Sequence, residues 1–115
     1  MMARRGRLVP LPPHGAGQRI GLFGGSFNPP HAGHVHVVRT AQARLELDRV
    51  WVLITPGNPL KDARALPPVE ARARLVKALL PDPRIVVTDL EARAGLRYSR
   101  DTVSYLAERA PRVRF

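Results

Sequence analysis

The chain has 115 residues and carries 19 Lys and Arg against 9 Asp and Glu, which gives a formal net charge of +10. It contains no cysteine, and this excludes a disulfide framework, a thiolate metal site and a cysteine nucleophile. Its longest unbroken apolar run, Val50 to Ile54, is far shorter than the roughly 20 residues that a membrane-spanning helix needs. The length and composition are those of a single globular domain, and no membrane partner is expected.

The positive charge has three interpretations. The basic residues are dispersed along the chain rather than clustered, and only 5% of all residues are aromatic. A dispersed arginine-rich surface is therefore the favoured interpretation, and attraction of a small polyanionic substrate is the second. Binding of DNA or RNA is the third and is not expected, because neither a basic cluster nor interleaved aromatic residues are present.

Residues 1–18 are predicted to be a disordered basic, Pro-rich tail. They include three arginines and no acidic residue, and prolines and glycines interrupt each apolar stretch. Such a segment cannot bury enough apolar surface to offset the entropy that is lost on ordering. It also lacks the apolar core of roughly 7–15 residues that a secretory signal needs. Residues 19–115 therefore form the predicted domain, and a cytoplasmic location is expected.

The domain is predicted to begin with a strand, a helix and a second strand. Residues 20–24 form a short apolar run that ends in a glycine pair, which is typical of a buried strand and a tight turn. Helical periodicity covers residues 33–47, and residues 50–54 form a second, β-branched strand. One predicted face of the helix carries four residues at steps of 4, 3 and 4: His34, Val38, Ala41 and Leu45. This unit implies a right-handed crossover and parallel strands.

The next elements repeat this pattern. A Pro-rich loop, residues 56–67, leads into a second helix, and a third strand covers residues 84–88. The apolar face of the second helix is again predicted from steps of 4, 3 and 4: Val69, Ala73, Val76 and Leu80. Residues 89–93 are predicted to be a charged loop, because Asp89, Glu91 and Arg93 lie close together there.

The last predicted elements are a third helix and the beginning of a fourth strand. Ser99 is expected to cap the helix, which covers residues 100–109, and residues 112–115 have strand-like composition. The sequence thus predicts an α/β fold, a Rossmann-like parallel sheet with helical crossovers that is truncated at the fourth strand. The open edge at residues 113–115 is an expected association hazard, and the oligomeric state is left open.

The turn between the first strand and the first helix has the parts of a phosphate-binding site. Gly24 and Gly25 allow a sharp turn and a close approach of the backbone to a ligand. The following helix directs its free N–H groups and the positive end of its dipole toward the turn. His31 and His34 lie three residues apart at the start of this helix, so both imidazoles can reach one point.

Two other interpretations of the histidine pair remain. The two rings could be helix-start residues without a ligand, or they could hold a metal ion, although no third carboxylate ligand lies at a suitable local spacing. His36 and His14 are expected to have no role in binding, because the first faces solvent or a neighbour and the second lies in the tail. Hydrogen-bond donation to phosphate is the preferred interpretation of His31 and His34.

The run from Gly24 to His34, Gly-Gly-Ser-Phe-Asn-Pro-Pro-His-Ala-Gly-His, resembles the signature of the HxGH nucleotidylyltransferases. It is most similar to that of the bacterial nicotinate-nucleotide adenylyltransferases, since other members usually have Asp at the position of Asn28 and Thr at that of His31. Lys61 matches a family lysine. Residues 98–102, Tyr-Ser-Arg-Asp-Thr, are similar to a second family motif, in which Arg97 replaces a Ser and Ser99 a Thr. The resemblance extends over residues 19–115.

This resemblance implies the transfer of an adenylyl group from ATP to nicotinate mononucleotide, with release of pyrophosphate and formation of nicotinate adenine dinucleotide. The substrates would be these two small molecules, and Mg²⁺ would act with ATP and without dedicated protein ligands. His34 and His31 would be the catalytic residues, and Tyr98 and Ser99 would border the nicotinate. The phosphates of ATP would be bound by these two histidines and by five further residues: Gly24, Gly25, Ser26, Phe27 and Lys61.

The resemblance covers only the N-terminal part of a family member. A Gly-x-Asp stretch that helps to hold the adenosine and a Ser/Thr-rich segment that grips the triphosphate have no counterpart in these 115 residues. Three possibilities therefore stay open: activity of the chain alone, completion by a partner, and an inactive nucleotide-binding fragment. An adenylyltransferase for another phosphorylated acceptor, or preference for the nicotinamide form, also stays open.

Overall fold

The computed structural model describes residues 8–56 and 66–115, and within them a three-stranded parallel sheet. The strands are β1 (Ile20–Gly25), β2 (Arg49–Ile54) and β3 (Ile85–Thr88), and their order in the sheet is β1-β2-β3. Leu22 of β1 pairs with Trp51 of β2, which in turn pairs with Val86 of β3. The predicted parallel pairing is confirmed, and all three strands end at the same edge of the sheet.

The described helices are α1 (Ala32–Leu45), α2 (Val69–Leu79), α3 (Leu90–Ala94) and α4 (Ser99–Arg109). Because side chains alternate along a strand, β2 presents apolar residues to both faces of the sheet. Helices cover both of these faces. Trp51 and Leu53 lie in a core cluster with residues of α3 and α4, including Leu90 and Leu106. Val50, Val52 and Ile54 lie in a second cluster with residues of α1 and α2, including Val38 and Val76. The result is the predicted open, Rossmann-like α/β sheet.

The charged stretch after β3 is a short helix rather than the predicted loop. The N–H of Leu90 donates to the Thr88 side-chain oxygen at 3.1 Å, and Leu90 itself is fully buried against the sheet. Gly95 ends the helix with a φ of 76°, a left-handed conformation that glycine adopts at little cost. Burial of Leu90 and Ala94 outweighs the turn-like composition of this segment, and for this reason the local prediction was wrong.

Two further details of the helices differ from the predictions. Ser99 is the first residue of α4 and does not cap it, since Tyr98 occupies the N-cap position with no side-chain hydrogen bond. On α1, only Val38 is fully buried, and Leu45 at its end is 52% exposed. The apolar spacing therefore located α1 but overstated how much of its predicted face is covered.

The predicted fourth strand is present only as one bridge among the described residues. Arg114 forms an isolated parallel bridge with Arg19 on the side of β1 that β2 does not occupy. The N–H of Ile20 donates to the Arg114 carbonyl and the N–H of Arg114 donates to the Gln18 carbonyl, both at 2.8 Å. The bridge lies within the predicted strand, residues 112–115, and is parallel to β1, but the paired region is shorter than the predicted strand.

Residues 8–18, the described part of the segment predicted as a disordered tail, contact the domain, and residues 1–7 lie outside the described residues. Val9 packs against the core, its N–H donates to the Tyr105 hydroxyl at 3.1 Å, and its carbonyl accepts from Arg109 at 2.9 Å. The Gly17 N–H donates to the carbonyl of Arg112 at 2.7 Å. This segment has no apolar core of its own and uses the surface of the domain instead. Across the described ranges, no helix is long and apolar enough to cross a membrane.

Candidate functional site

The site begins where β1 ends. Gly25 pairs with Ile54 of β2, and its carbonyl accepts a hydrogen bond from the Thr55 N–H at 2.9 Å. Two residues later the chain turns sharply, because Phe27 has a φ of 52° and the Asn28–Pro29 peptide bond is cis. A Cβ atom on Gly25 would lie 3.2 Å from the Phe27 ring, so the absence of a side chain lets this ring fold back against β1. Phe27 is 2% exposed and anchors the turn in the core.

His31 and His34 form a reciprocal cap at the start of α1. The Nδ1 atom of His31 accepts from the Gly33 N–H at 3.0 Å, and the Nδ1 atom of His34 accepts from the His31 N–H at 3.0 Å. These bonds satisfy two of the backbone donors that a helix N-terminus leaves free. The three-residue spacing of His31 and His34 is therefore explained by helix capping, in addition to any role in binding.

Gly33 makes this arrangement of the rings possible. A Cβ atom at this position would lie 2.8 Å from Cε1 and 2.9 Å from Nδ1 of His31. Real Cβ atoms do not approach this closely, so any larger residue would displace the His31 ring from its hydrogen bond. The small residue between the two histidines is thus required by the geometry of the cap.

The hydrogen bonds also assign the tautomers of the two histidines. In each ring Nδ1 accepts a hydrogen bond, so the proton of the neutral imidazole lies on Nε2. The ring centroids are 4.0 Å apart and the ring planes are inclined by 35°. Two Nε2–H donors are therefore held side by side at the positive end of a helix, and no acidic residue lies in the first turn of α1.

The surroundings of His34 keep its ring neutral. The Phe27 ring lies 4.8 Å from the His34 ring and the Phe23 ring lies 5.9 Å from it, measured between centroids. Burial lowers the pKa of His34 below its ordinary value, and repulsion from His31 lowers the pKa further. An uncharged ring with a fixed N–H is suited to donate a hydrogen bond to an anion and is poorly suited to act as a base.

Arg72 of α2 is a residue of this region that the sequence interpretation missed. Its side chain is buried, and it donates from Nη1 to the Ser26 carbonyl at 2.9 Å and to the Thr55 carbonyl at 2.8 Å. Nε donates to the Pro67 carbonyl at 2.9 Å. A signal was available, since Arg72 lies four residues before Val76 and beside Ala73, on the predicted apolar face. A charged residue in that position indicates a buried role.

The predicted nicotinate-binding residues, Tyr98 and Ser99, belong to a different element from the histidine turn. Tyr98 is 64% exposed, and it precedes Ser99 at the start of α4. Within the described parts of the chain, no hydrogen bond or ring contact joins Tyr98 or Ser99 to His31 or His34. Lys61 lies outside the described residues. The structure thus brings together the turn and the two histidines and leaves the predicted nicotinate-binding pair on a separate element.

Two further observations define the surroundings of the site. A mainly apolar groove of about 550 Å³ lies between β1, α1 and the last residues of the chain, and none of the predicted site residues lines it. Among residues 8–56 and 66–115, no group of three or more His, Asp or Glu side chains is arranged to hold a metal ion. The described part of the site therefore consists of the turn after β1 and the paired donors of His31 and His34.

Several curated proteins are similar in sequence to this chain. The "Probable nicotinate-nucleotide adenylyltransferase" of Methylorubrum extorquens (strain PA1) is 58% identical over 97 residues, which are 84% of this chain and 52% of the relative. The protein of the same name from Ruegeria pomeroyi is 56% identical over 99 residues, covering 86% of this chain and 46% of the relative. The chain spans about half the length of the curated relatives it matches.

The fold is also found in solved structures. The Plasmodium falciparum nicotinic acid mononucleotide adenylyltransferase complexed with NaAD superimposes with a TM-score of 0.71 at 20% identity, covering 84% of this chain and 48% of that chain. The structure of the same enzyme complexed with APC gives a TM-score of 0.69. A family model described as "Cytidylyltransferase-like" matches residues 22–108, which include the turn and both histidines. The chain therefore belongs to the cytidylyltransferase-like family.

Proposed function

We propose that the chain takes part in adenylyl transfer from ATP to nicotinate mononucleotide, a step of NAD biosynthesis. The observation that carries the proposal is the pair of Nε2–H donors of His31 and His34, which Nδ1 hydrogen bonds orient at the N-terminus of α1. The names of the relatives, at 56–58% identity, support this choice of reaction over other nucleotide chemistry.

The proposed chemistry needs no protein nucleophile. An oxygen of the mononucleotide phosphate forms a bond to the α-phosphorus of ATP, and the bond from that phosphorus to the bridging oxygen of pyrophosphate breaks. The attacking phosphate is already ionised near neutral pH, because its second pKa is about 6. No proton has to be removed, and this agrees with two histidines whose Nδ1 atoms are occupied by backbone N–H groups.

Stabilisation of charge is the proposed role of the site. His34 donates from Nε2 to an oxygen of the α-phosphate, on which charge builds up in the transition state, and His31 donates to the neighbouring phosphates. The dipole of α1 adds to this effect, since its first turn has no carboxylate. Gly24, Gly25, Ser26 and Phe27 offer their backbone to the nucleotide at the end of β1.

The other proposed contacts complete the substrate complex. Tyr98 and Ser99 border the nicotinate ring and its carboxylate, and Lys61 helps to neutralise the phosphates. Mg²⁺ arrives bound to ATP as part of the substrate, where it shields the triphosphate charge. We place the reaction in the cytoplasm, the compartment expected for these two substrates.

Pyrophosphate release by the purified chain with Mg-ATP and nicotinate mononucleotide tests the proposal. We expect His34→Ala to reduce release by at least about 100-fold, a typical effect of removing one transition-state hydrogen-bond donor. His36→Ala is the matched control, because His36 is exposed on the same helix, and it should leave the rate within about twofold. Release that is equal in the two variants would contradict the assignment of His34.

A second candidate is nucleotide binding by this chain without turnover, which the coverage of about half of each relative favours. Titration of the chain with a non-hydrolysable ATP analogue separates the two candidates. Binding that depends on His31 and His34, without pyrophosphate release, would support the second. If pyrophosphate is released with another phosphorylated acceptor and not with nicotinate mononucleotide, that acceptor is the substrate and the proposed one is wrong.

A further inference from the structure

Arg72 is a buried cation that lies directly behind the turn of the candidate site. The residue is 2% exposed, although arginine is almost never fully buried without partners. The described hydrogen bonds of its side chain all go to backbone carbonyls, those of Ser26, Thr55 and Pro67. Burial lowers its pKa, but arginine stays protonated at any physiological pH. The positive charge is therefore held in the protein interior next to the turn.

The three acceptors come from three separate places in the sequence. Nη1 bridges Ser26, which follows β1, and Thr55, which follows β2. The Thr55 N–H donates to the Gly25 carbonyl, so the ends of β1 and β2 are tied together both directly and through Arg72. The bond from Nε to Pro67 fixes the guanidinium at the start of α2. A planar group with several fixed donors can make this connection, whereas a single ammonium nitrogen is less well matched to it.

The bond to Ser26 determines the orientation of one peptide group in the turn. Because the Ser26–Phe27 peptide is trans, its C=O and N–H point in opposite directions. The carbonyl points toward Arg72, so the N–H of Phe27 points away from the Arg72 guanidinium. Phe27 also has a φ of 52°, a conformation that non-glycine residues adopt only at a cost and that its surroundings must hold.

Phe27 connects this peptide to the histidine pair. Its ring lies 4.8 Å from the ring of His34 and is buried in the cluster that contains Val38 and Val76. A rotation of the Ser26–Phe27 peptide would therefore change both the direction of the Phe27 N–H and the packing around His34. The orientation of the turn and that of the donor ring are coupled through one residue.

We propose that Arg72 is a positioning residue, which turns the Ser26 carbonyl inward so that the Phe27 N–H faces the phosphate groups of the bound nucleotide. This inference rests on the proposed nucleotide-binding function of the turn. The buried positive charge also favours an anion on the opposite side of the turn, since charges interact strongly where water is excluded. Arg72 itself touches no substrate and acts through the backbone of Ser26 and Phe27.

The test compares Arg72→Met with Arg74→Met in ¹⁵N-labelled chain. Arg74 lies two residues further along the same helix and is exposed, so this control removes an equal charge without the buried hydrogen bonds. The readouts are the ¹H–¹⁵N resonance of Phe27 and the affinity for inorganic pyrophosphate. We expect Arg72→Met to move the Phe27 resonance and to weaken pyrophosphate binding by about tenfold or more, and Arg74→Met to change the affinity by less than about twofold.

Arg72→Lys keeps the charge and serves where Arg72→Met does not fold. We expect it to restore the fold and to leave pyrophosphate binding about three- to tenfold weaker than in the original chain, with a displaced Phe27 resonance. A folded Arg72→Met or Arg72→Lys chain with an unchanged Phe27 resonance would overturn the proposal. If the original chain does not bind pyrophosphate, the proposed function fails, whereas the Phe27 resonance still decides whether Arg72 orients the peptide.

Discussion

Two helix N-termini were predicted to bind substrate, and the structure builds them differently. At α1, His31 and His34 exchange hydrogen bonds with the backbone, and their rings pack against each other and against Phe27. At α4, Tyr98 occupies the N-cap position with an extended backbone, makes no side-chain cap and leaves 64% of its surface exposed. The side chains of the first terminus are held by hydrogen bonds and ring contacts, whereas the Tyr98 side chain makes no cap and is largely exposed.

The first turns of the two helices also differ in their charge. The first turn of α1 has no acidic residue, so the positive end of its dipole is left for an external anion. The first turn of α4 contains Asp101, whose carboxylate compensates the dipole within the chain. Under the proposed function, α1 would receive the phosphates with its donors already oriented, and Tyr98 of α4 would offer an exposed aromatic surface to the acceptor. Three experiments test the difference between the two termini.

The largest effect is expected from Gly33→Ala, which inserts a Cβ atom 2.8 Å from the His31 ring. The ring has to move and gives up its cap, which costs about 1 kcal/mol, but alanine favours the helix by a similar amount. We therefore expect unfolding free energy to change by less than about 0.5 kcal/mol and pyrophosphate affinity to fall about tenfold. Urea denaturation and titration calorimetry measure the two quantities.

A double-mutant cycle provides the control for Gly33. If glycine is required only to make room for His31, Gly33→Ala should have almost no effect on affinity in a His31→Ala background. An equal loss of affinity in both backgrounds would show that the glycine acts on the ligand or on the helix directly, and the proposed preorganisation of α1 would then need another explanation.

A smaller effect is expected from the pH dependence of stability, through the titration of His34. The folded-state pKa of His34 is lowered, so the unfolded chain takes up a proton at higher pH than the folded chain does. The contribution of His34 to stability is therefore complete above its ordinary pKa of about 6.5 and is lost as the pH falls through the lower folded-state value. Protonation of Nδ1 would also remove the acceptor for the His31 N–H.

The measurement is the difference in unfolding free energy between the original chain and His34→Ala, followed from about pH 7.5 to pH 5. We expect this difference to decrease steadily toward acidic pH, because the subtraction removes the titration of all other groups. A difference that grows on acidification would mean that the folded chain holds a charged His34, contrary to the assigned tautomer.

The smallest effect is expected from Ser99→Ala at the start of α4. A serine that caps a helix contributes about 1 kcal/mol, but Ser99 is inside the helix and makes no cap. We expect the unfolding free energy to change by less than about 0.5 kcal/mol, as measured by urea denaturation. A loss near 1 kcal/mol would restore the capping role that the sequence suggested and would make the two termini more alike.

Much of the fold could be predicted because its signals are local. The apolar residues of β1 and β2, and the spacing of Val69, Ala73 and Val76 in α2, depend only on strand and helix periods. The cap between His31 and His34 is local as well, since its partners lie two and three residues apart. For this reason the turn, the two histidines and the parallel pairing were located correctly from the residues themselves.

The structural features that the sequence did not predict are contacts that packing creates. The turn-like composition of residues 89–93 was overruled because Leu90 and Ala94 find a place in the core on one face of the sheet. Residues 8–18 had no apolar period, but Val9 uses Tyr105 and Arg109 as partners almost 100 residues away. A local sequence pattern carries no information about a surface that a distant part of the chain provides.

Local signals in the sequence were sufficient to predict the class of fold, the turn after β1 and the position of His31 and His34 at the start of α1. Each of these depends on interactions over a few residues, whose geometry the backbone periods dictate. The contacts of Arg72 with Ser26 and Thr55, which lie 46 and 17 residues away in the chain, are visible only in the folded protein. Such a contact exists only after the strands and helices have packed, because a buried charge takes its partners from whatever the fold places beside it.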